Sequence, residues 1–383
     1  MQGRRGKGCG ECLAGPAGAR PSHNGDVPSS TAASSSPAVR ADQAIAGLAP
    51  GYFALVMGTG IVSVGLRTAG YDGAALALLV LAAVAAAVLV VLYVLRGLRH
   101  PARMRADARN PETAFGYFTV VAAASVLGVG LHDVGLGTAS VVLLGIGAAI
   151  WIVLGYVLPW QVLMTRDGEP ILARTNGSWF IWSVASQSLA VGLSGLRPAT
   201  PAFADLLGVL TVLFWSVGTI LYAGIAVLVI LRIVHFGITP QQFEPTYWVA
   251  MGALAIAVVA GAGIYAMDSV PMVDAARGLI GGTVVIFWCF ALWQLPLLAG
   301  AGLWRHLIHR VPLRYVPSLW SIVFPLGMFA VASMRLGRVE HLPMVEIVGD
   351  VVLVVAVLAW AAVAVGLVLT LVRGLRGARA TAG

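Results

Sequence analysis

Uncharged hydrogen-bond donors recur within long apolar segments of this chain, and they are the side chains best suited to act on a passing solute. Hydroxyl and amide groups can solvate an anion weakly, and weak binding suits permeation because a tightly held ion does not leave. Each group could equally bond the backbone of its own helix or a neighbouring helix. The candidates are Thr59, Ser63, Thr119, Ser125, Ser183, Ser186, Gln187 and Ser321, together with the flanking Gly58 and Gly60.

Four basic residues stand at the ends of these apolar segments. Arg67, Arg197 and Arg335 each follow one segment, and His132 ends another. A ring of such groups would concentrate anions at the mouth of a pore, because charges of one sign in a narrow cleft focus the field. The dipole of a helix also favours a cation at its C-terminus without any function. Asp268 breaks the pattern after the seventh segment.

Ten segments of about 19 to 32 residues contain no Asp, Glu, Lys or Arg. A bilayer core needs roughly 20 apolar residues per helix, and a backbone within it must satisfy its own hydrogen bonds. The segments therefore predict an all-α integral membrane protein with ten transmembrane helices, numbered here as spans 1 to 10. They cover residues 48–66, 73–95, 113–131, 134–165, 175–196, 206–231, 245–267, 278–304, 315–334 and 351–372.

Composition and charge agree with a multi-pass membrane protein. Only 10% of the residues are charged and the mean hydropathy is +0.90, whereas a soluble domain carries about 25% charged residues. Of the 24 Lys and Arg residues, 19 fall on the side of the two termini and 5 on the other side. The positive-inside rule then predicts cytoplasmic termini in the plasma membrane. The same bias explains the net charge of +8 without a nucleic-acid partner.

The sequence divides into a tail, a membrane domain and a short second tail. Residues 1–44 are rich in Gly, Ser, Ala and Pro, which predicts a disordered cytoplasmic tail. Residues 45–375 predict the transmembrane domain, and residues 376–383 a cytoplasmic C-terminal tail. Cys9 and Cys12 form a lone CxxC motif in the first tail, and without further ligands they predict two free thiols. Cys289 falls within span 8, where we expect it to pack against neighbouring side chains.

The odd-numbered spans differ from the even-numbered ones. The even spans are long and aliphatic, whereas the odd spans are shorter and richer in Gly, Ser, Thr and aromatic residues. Each odd span also carries an aromatic residue near its start, at intervals of 61 to 72 residues. Aromatic residues suit the membrane interface in any helix, but the odd–even contrast favours five parallel hairpins around a central pore, with the odd spans inside. The recurring aromatic residues are Phe53, Phe118, Trp179, Trp248 and Trp320.

Two phrases in the odd spans carry a family resemblance. Span 1 contains PGYFALVMGTGIVS at residues 50–63, and span 9 contains WSIVFPLG at residues 320–327. Both resemble the tellurite-resistance/dicarboxylate transporter family. That family includes yeast malate permeases, fungal sulfite pumps, bacterial tellurite-resistance proteins and the slow-type anion channels of plant guard cells. The resemblance extends over about residues 45–375.

The resemblance implies a fold and a gate. The family fold is ten helices in five hairpins around a central pore, commonly as a homotrimer. A phenylalanine on the ninth helix plugs that pore, and Phe324, just before the mid-helix Pro325, matches its position. A phenylalanine that merely packs between helices is the alternative reading of Phe324. Family members often kink several inner helices with proline, whereas span 9 is the only odd span here with a mid-span proline.

The predicted function is transport of a small anion, such as sulfite or a C4-dicarboxylate like malate, with no enzymatic activity, cofactor or metal. The expected partners are the anion, membrane lipid and further copies of the chain. The interiors of the predicted spans carry no charged residue, which argues against a buried proton relay and a cation path. Tellurite-type oxyanion efflux and proton-coupled anion symport remain alternatives. A membrane-embedded enzyme is more distant, because His306 and His309 have no acidic partner nearby in sequence.

Overall fold

The computed structural model describes residues 37–164 and 169–380, and within them the regular structure is helical. Short 3₁₀ turns precede several of the helices, and a π-helical turn, Trp304–Ile308, continues the tenth. The α-helices are α1 Pro37–Ala46, α2 Ala54–Thr68, α3 Asp72–Arg99, α4 Pro101–Arg109, α5 Thr119–Asp133, α6 Gly137–Met164, α7 Phe180–Leu196, α8 Ala204–Phe236, α9 Val249–Tyr265, α10 Pro271–Leu303, α11 Trp320–Val339 and α12 Pro343–Ala380.

Five helices form a closed inner ring. The helices α2, α5, α7, α9 and α11 pack side by side in chain order, and α11 returns to α2. Each pairs with the long helix that follows it, so the chain makes five hairpins, and α3, α6, α8, α10 and α12 form an outer layer. In the most apolar stretches of α2, α5, α9 and α11, 67% to 83% of the residues are buried, against 17% to 28% in the outer helices. The predicted contrast between odd and even spans therefore corresponds to inner and outer helices.

Nine helical segments in the described part of the chain are long and apolar enough to cross a membrane. The predicted fifth span is the one outside this set. Its helix, α7, is 17 residues long and carries four serines and a glutamine. The count of ten is therefore not confirmed by length and composition, although α7 occupies the fifth position in the inner ring. The all-α membrane fold itself is confirmed.

Close contacts between backbones hold the inner ring together. A Cβ atom on Gly252 of α9 would lie 2.9 Å from Cγ of Pro325 on α11, and one on Gly60 of α2 would lie 2.7 Å from a methyl of Val126 on α5. Such distances are shorter than real Cβ contacts, so only glycine lets these helices approach so closely. Small residues serve the same purpose in membrane helix packing generally, because lipid tails give helices no hydrophobic reason to associate.

The five inner helices all begin with a 3₁₀ segment, and these segments contact one another in a second ring. The recurring aromatic phrases of the sequence lie in or beside these segments. Three of them begin with a proline. The first N–H groups of a helix have no partner within it, so the missing N–H of proline costs no hydrogen bond there. We call this end of the ring, where the inner helices begin, the N-terminal end. The segments are Pro50–Phe53, Ala114–Phe118, Gly177–Trp179, Pro245–Trp248 and Pro317–Leu319.

Some features at the edges of the predicted domains differ from expectation. Helix α1, Pro37–Ala46, occupies the last part of the predicted first tail, and α12 continues to Ala380 within the predicted second tail.

Cys9 and Cys12 lie outside the described residues. Cys289, which we expected to pack against neighbouring side chains, is instead exposed on α10, because an outer helix turns part of its surface away from the ring. Pro159 and Pro296 lie within the outer helices α6 and α10.

Candidate functional site

A narrow cavity lies within the inner ring and is lined by all five inner helices. Its volume of about 20 Å³ is room for one water molecule or little more. The lining is apolar apart from two serines and one arginine. The lining residues are Ile61, Val64, Ser125, Val126, Val129, Ser188, Val191, Ile256, Val259, Met328, Val331 and Arg335.

The lining positions repeat with the register of the aromatic phrases. In α2, α5, α9 and α11, lining residues stand eight and eleven residues after the recurring aromatic residue, as Ile256 and Val259 do after Trp248. In α7 the pair is Ser188 and Val191, which is the same spacing counted from Phe180 instead of Trp179. In four of the five inner helices, the recurring aromatic residue therefore predicts which face points to the ring axis, and in α7 the register is shifted by one residue.

Phe324 lies one helical turn from the cavity, toward the N-terminal end. The spacing of Phe324, Met328, Val331 and Arg335 places all four on one face of α11, and the last three line the cavity. Phe324 is 1% exposed. Phe324 stands four residues after Trp320, and the equivalent residues of the other inner helices, counted from Phe180 in α7, are not aromatic. They are Met57, Ala122, Val184 and Gly252.

Three predicted pore donors on α7 face the outer helix α8. The hydroxyl of Ser183 donates to the carbonyl of Gly218 at 2.7 Å, and that of Ser186 to the carbonyl of Phe214 at 2.9 Å. The amide of Gln187 donates to the carbonyl of Trp215 at 3.0 Å. These bonds join the two helices of one hairpin, and none of the three side chains lines the cavity.

The predicted candidates on α2 also lie away from the cavity. Ser63 donates to the carbonyl of Ala75 on α3 at 2.6 Å, and the hydroxyl of Thr59 accepts from the indole of Trp360 on α12 at 3.1 Å. Gly58 packs against the side chains of Trp320 and Val323 on α11, and Gly60 against α5. The structure therefore uses this set to join α2 to its neighbours.

Ser125 alone among the predicted uncharged candidates lines the cavity. Its hydroxyl donates to the carbonyl of Val121 in its own helix at 3.0 Å. Ser188, which the sequence analysis missed, lies in the same cavity and donates to the carbonyl of Ala185 at 2.8 Å. Thr119 donates to the carbonyl of Gly116 at the helix start, and Ser321 is buried near the start of α11. A solute in the cavity would therefore compete with helix carbonyls for both hydroxyl protons, which makes for weak binding.

Arg335 is the charged residue of the cavity lining. Span 9 was predicted to end at residue 334, but α11 continues to Val339, so the expectation that Arg335 lies beyond the helix is wrong. The side chain lies between this cavity and a second one of about 70 Å³, closer to the C-terminal end of the ring. His132, Asp133 and Ser194 also line that second cavity, which we call the vestibule.

Asp133 is the second charged group at the vestibule, and the sequence analysis missed it. Its carboxylate lies within electrostatic reach of Arg335, Arg67 and His132. An anion approaching Arg335 therefore meets a fixed carboxylate among three basic side chains. The negative charge of Asp133 therefore weakens the attraction that these basic side chains exert on an anion in the vestibule.

The other two predicted mouth residues are paired and line neither cavity. Arg67 lies 3.5 Å from the carboxylate of Asp72, and it reaches the backbone carbonyl of Asp133 at 3.5 Å. Arg197 lies 3.3 Å from the carboxylate of Asp268, the residue that broke the predicted basic pattern. The structure thus brings Arg335 and His132 together, sets Arg67 at the edge and holds Arg197 in an ion pair.

The two histidines considered for catalysis lie at the N-terminal end, away from these cavities. A ring nitrogen of His306 is 2.8 Å from the carbonyl of Val311, and the ring of His309 stacks edge-on against Trp304 with centroids 5.0 Å apart. Within the described residues, no group of three His, Cys, Asp or Glu side chains is arranged to hold a metal ion.

Comparison with known proteins assigns the family. A family model described as voltage-dependent anion channel (SLAC1) matches residues 47–368. An uncharacterized membrane protein of Mycobacterium tuberculosis is 47% identical over 140 residues, which is 37% of this chain and 71% of that protein. An uncharacterized transporter of Methanocaldococcus jannaschii is 24% identical over 307 residues, covering 78% of this chain and 86% of that protein. Because the match runs from before α2 into α12, this chain belongs to the SLAC1-type family of membrane anion channels and transporters.

Proposed function

We propose that this protein passes a small anion, such as sulfite or a C4-dicarboxylate like malate, along the axis of the inner ring. The observation that carries the proposal is the axial cavity, to which all five inner helices contribute and in which Arg335 is the charged residue. No carboxylate stands among the cavity-lining residues, and a cation path would need acidic rings or ordered carbonyls. The two serine hydroxyls offer weak contacts that suit conduction.

In this proposal Phe324 is the gate. It lies on the axis-facing stripe of α11, next to Pro325, whose ring packs on Gly252. Proline removes a helical hydrogen bond and bends the helix, and the bend presses the preceding aromatic ring toward the axis. The adjacent axial cavity has room for about one water and is smaller than any of the proposed anions, so conduction requires the ring to widen at the cavity.

We further propose that the N-terminal end of the ring faces the cytoplasm and that the protein is a homotrimer in the plasma membrane. The charge bias of 19 against 5 supports the orientation. Single cysteines in a background without Cys9, Cys12 and Cys289 test it with a membrane-impermeant thiol reagent. We expect labelling from outside intact cells at positions 199 and 272, and none at 102 and 313; the reverse pattern overturns the orientation. Native mass spectrometry tests the trimer.

Reconstitution into liposomes tests the transport proposal directly. The purified protein is placed in vesicles of defined lipid, and fluxes of malate, sulfite, tellurite and chloride are compared at clamped voltage. We expect a flux of at least one of these anions that is absent in protein-free vesicles and that exceeds the flux of potassium. A potassium flux equal to the anion flux, or no flux even with the gate truncated, overturns the proposal.

Proton-coupled anion symport is the second candidate function, and His132 and Asp133 at the vestibule favour it. Histidine and carboxylate side chains form the proton relays of coupled transporters, and both stand here beside Arg335, so an anion and a proton could bind together. The same liposomes distinguish the two candidates. A pH gradient alone drives uphill anion uptake in a symporter, whereas a channel responds to the electrical and anion gradients only.

A further inference from the structure

A separate cleft opens at the N-terminal end of the molecule, between the start of α9, the end of α10 and the start of α11. Its volume is about 220 Å³, and it lies away from the axial cavity. Basic and apolar side chains line it together, among them Arg305, His306, Arg314, Trp248, Leu313 and Ile322. No Asp or Glu stands among the lining residues.

Arg305 supplies positive charge on the α10 side of this cleft. One of its terminal nitrogens donates to the backbone carbonyl of Phe243. Its Nε atom is buried without a hydrogen-bond partner within the described residues. Guanidinium groups bind phosphate through paired donors. Glu244 lies within electrostatic reach of Arg305 but does not line the cleft, so the charge that lines the cleft is positive.

A π-helical turn presents the basic groups to the cleft. Trp304–Ile308 continues α10 with this wider turn, a geometry that occurs mostly as single turns and often at functional sites. It places Arg305 and His306 on the cleft side, and His306 is fixed by its contact with the carbonyl of Val311 at 2.8 Å. Arg314 closes the other side of the cleft from the loop that follows.

The apolar part of the cleft continues toward the lipid. Leu313 is 73% exposed and Ile308, at the end of the π-helical turn, is 70% exposed. Helix α10 packs less closely on α11 than the other outer helices do on the inner helix that follows them, although Trp288 of α10 contacts Phe329 and Ser333 farther along α11. The loosely packed seam between the end of α10 and the start of α11 is therefore where an acyl chain would lie, and we call it the apolar gap.

We infer that this cleft binds an anionic phospholipid, with the phosphate between Arg305 and Arg314 and an acyl chain between α10 and α11. Basic pockets between transmembrane helices bind anionic headgroups, and the adjoining apolar gap distinguishes a lipid from a free phosphate. Ile322 of the lining precedes Phe324 by two residues, so a bound lipid would brace the start of the helix that carries the proposed gate. The binding itself does not depend on any transport activity.

Lipid titration of the delipidated protein in detergent, followed by native mass spectrometry, tests the inference. The probes are dioleoylphosphatidylglycerol, dioleoylphosphatidylcholine and inorganic phosphate. We expect preferential binding of phosphatidylglycerol, weakened about fivefold by Arg314→Gln and about 25-fold by Arg305→Gln with Arg314→Gln. Arg314→Gln keeps the test valid if loss of the Arg305 contact with Phe243 impairs folding. Arg310→Gln, in the same loop but outside the cleft lining, is the matched control and should leave the affinity unchanged.

Three outcomes would overturn the inference. Equal binding of phosphatidylcholine would mean that the apolar gap alone holds lipid. Displacement of phosphatidylglycerol by inorganic phosphate at similar concentration would mean a free-anion site. An equal loss in Arg310→Gln and Arg314→Gln would mean that diffuse surface charge, and not the cleft, attracts the lipid.

Discussion

The two halves of the inner ring are built differently. At the N-terminal end, five 3₁₀ segments touch one another, and buried aromatic rings pack among them, with the ring centroids of Phe115 and Trp179 4.5 Å apart. Phe324 occupies the next layer toward the middle. At the C-terminal end, the ring encloses a cavity and a vestibule, which are lined by hydroxyl groups and by two charged residues, Arg335 and Asp133.

This difference separates two tasks that one pore must perform. A tightly packed apolar layer blocks an ion because it offers no groups to replace the lost hydration. A partly polar cavity with a cation holds an anion for a short time. In the proposed function, the barrier and the anion-binding site therefore lie on opposite sides of one helical turn of α11. Changes in the first half should therefore alter conductance, and changes in the second half should alter anion preference.

The largest effect is expected from truncating the proposed gate. Phe324→Ala should raise basal anion conductance per inserted molecule by about tenfold or more, as for a barrier lowered by at least about 1.4 kcal/mol. Phe329→Ala is the matched control: it is equally buried on the same helix, but its ring stacks on Trp288 of α10, 6.1 Å away. Truncation there should leave conductance unchanged.

A packing role for Phe324 predicts the opposite result. The cavity left by Phe→Ala would cost roughly 3–5 kcal/mol on the soluble-protein scale, so less protein would reach the membrane and conductance per molecule would not rise. Single-channel or calibrated liposome flux, normalised to inserted protein, separates the two readings. A conductance gain of the same size in Phe329→Ala would mean that general loosening of α11 opens the ring.

The second-largest effect is expected at the C-terminal end of the ring, where Arg335 lines the cavity. Arg335→Gln should lower anion flux about tenfold. Two unit charges about 4 Å apart attract each other by about 1 kcal/mol in water and by about 4 kcal/mol near a protein surface. Arg338→Gln is the control, since Arg338 is exposed and paired with Glu346 at 2.7 Å. Radiolabelled anion uptake measures both. Equal losses in the two variants would mean that Arg335 acts only through the overall surface charge.

The sequence predicted the layers of this fold better than the faces of its helices. Long uncharged segments and the recurring aromatic residues were sufficient for the all-α class and for the distinction between inner and outer helices. The direction of Ser183, Ser186 and Gln187 was not predictable, because an inner helix is buried on almost every side and polar groups on any face are then compatible with the pattern. The cavity register of eight and eleven residues, counted from Trp179, points to Gln187 and Ala190. Only the one-residue offset to Phe180, which the structure shows, leads to Ser188.

Charged residues at helix ends were harder to place. Asp133 was missed because it falls between two uncharged segments and only Lys and Arg entered the charge comparison. Arg335 was placed outside its helix because an uncharged segment ends at the first charge, whereas a helix ends where its backbone bonds end. Arg197 and Asp268 are 71 residues apart in sequence, so their pairing depends on the packing of two hairpins.

A smaller effect of opposite sign is expected from Asp133→Asn. Loss of the carboxylate leaves Arg335, Arg67 and His132 without the opposing charge, so anion flux at low anion concentration should rise about threefold to fivefold for a gain near 1 kcal/mol. Asp268→Asn is the control, because Asp268 pairs with Arg197 and does not line the vestibule. A fall in flux in Asp133→Asn would show that the carboxylate holds Arg335 in position and does not compete with the anion.

The smallest effect is expected from the two peripheral arginines. Arg67 and Arg197 already pair with the exposed carboxylates of Asp72 and Asp268, and ion pairs with a partner in solvent contribute little. Replacing both by Gln should lower anion flux by less than about twofold at physiological salt, where screening limits the reach of a charge to about 8 Å. At 0.01 M salt that reach grows to about 30 Å, so the loss should become larger. Flux measured across this salt range decides the role of the two arginines. A loss independent of salt would mean that they hold the helix ends together. A loss as large as that of Arg335→Gln would mean that Arg335 is not the main residue that attracts the anion.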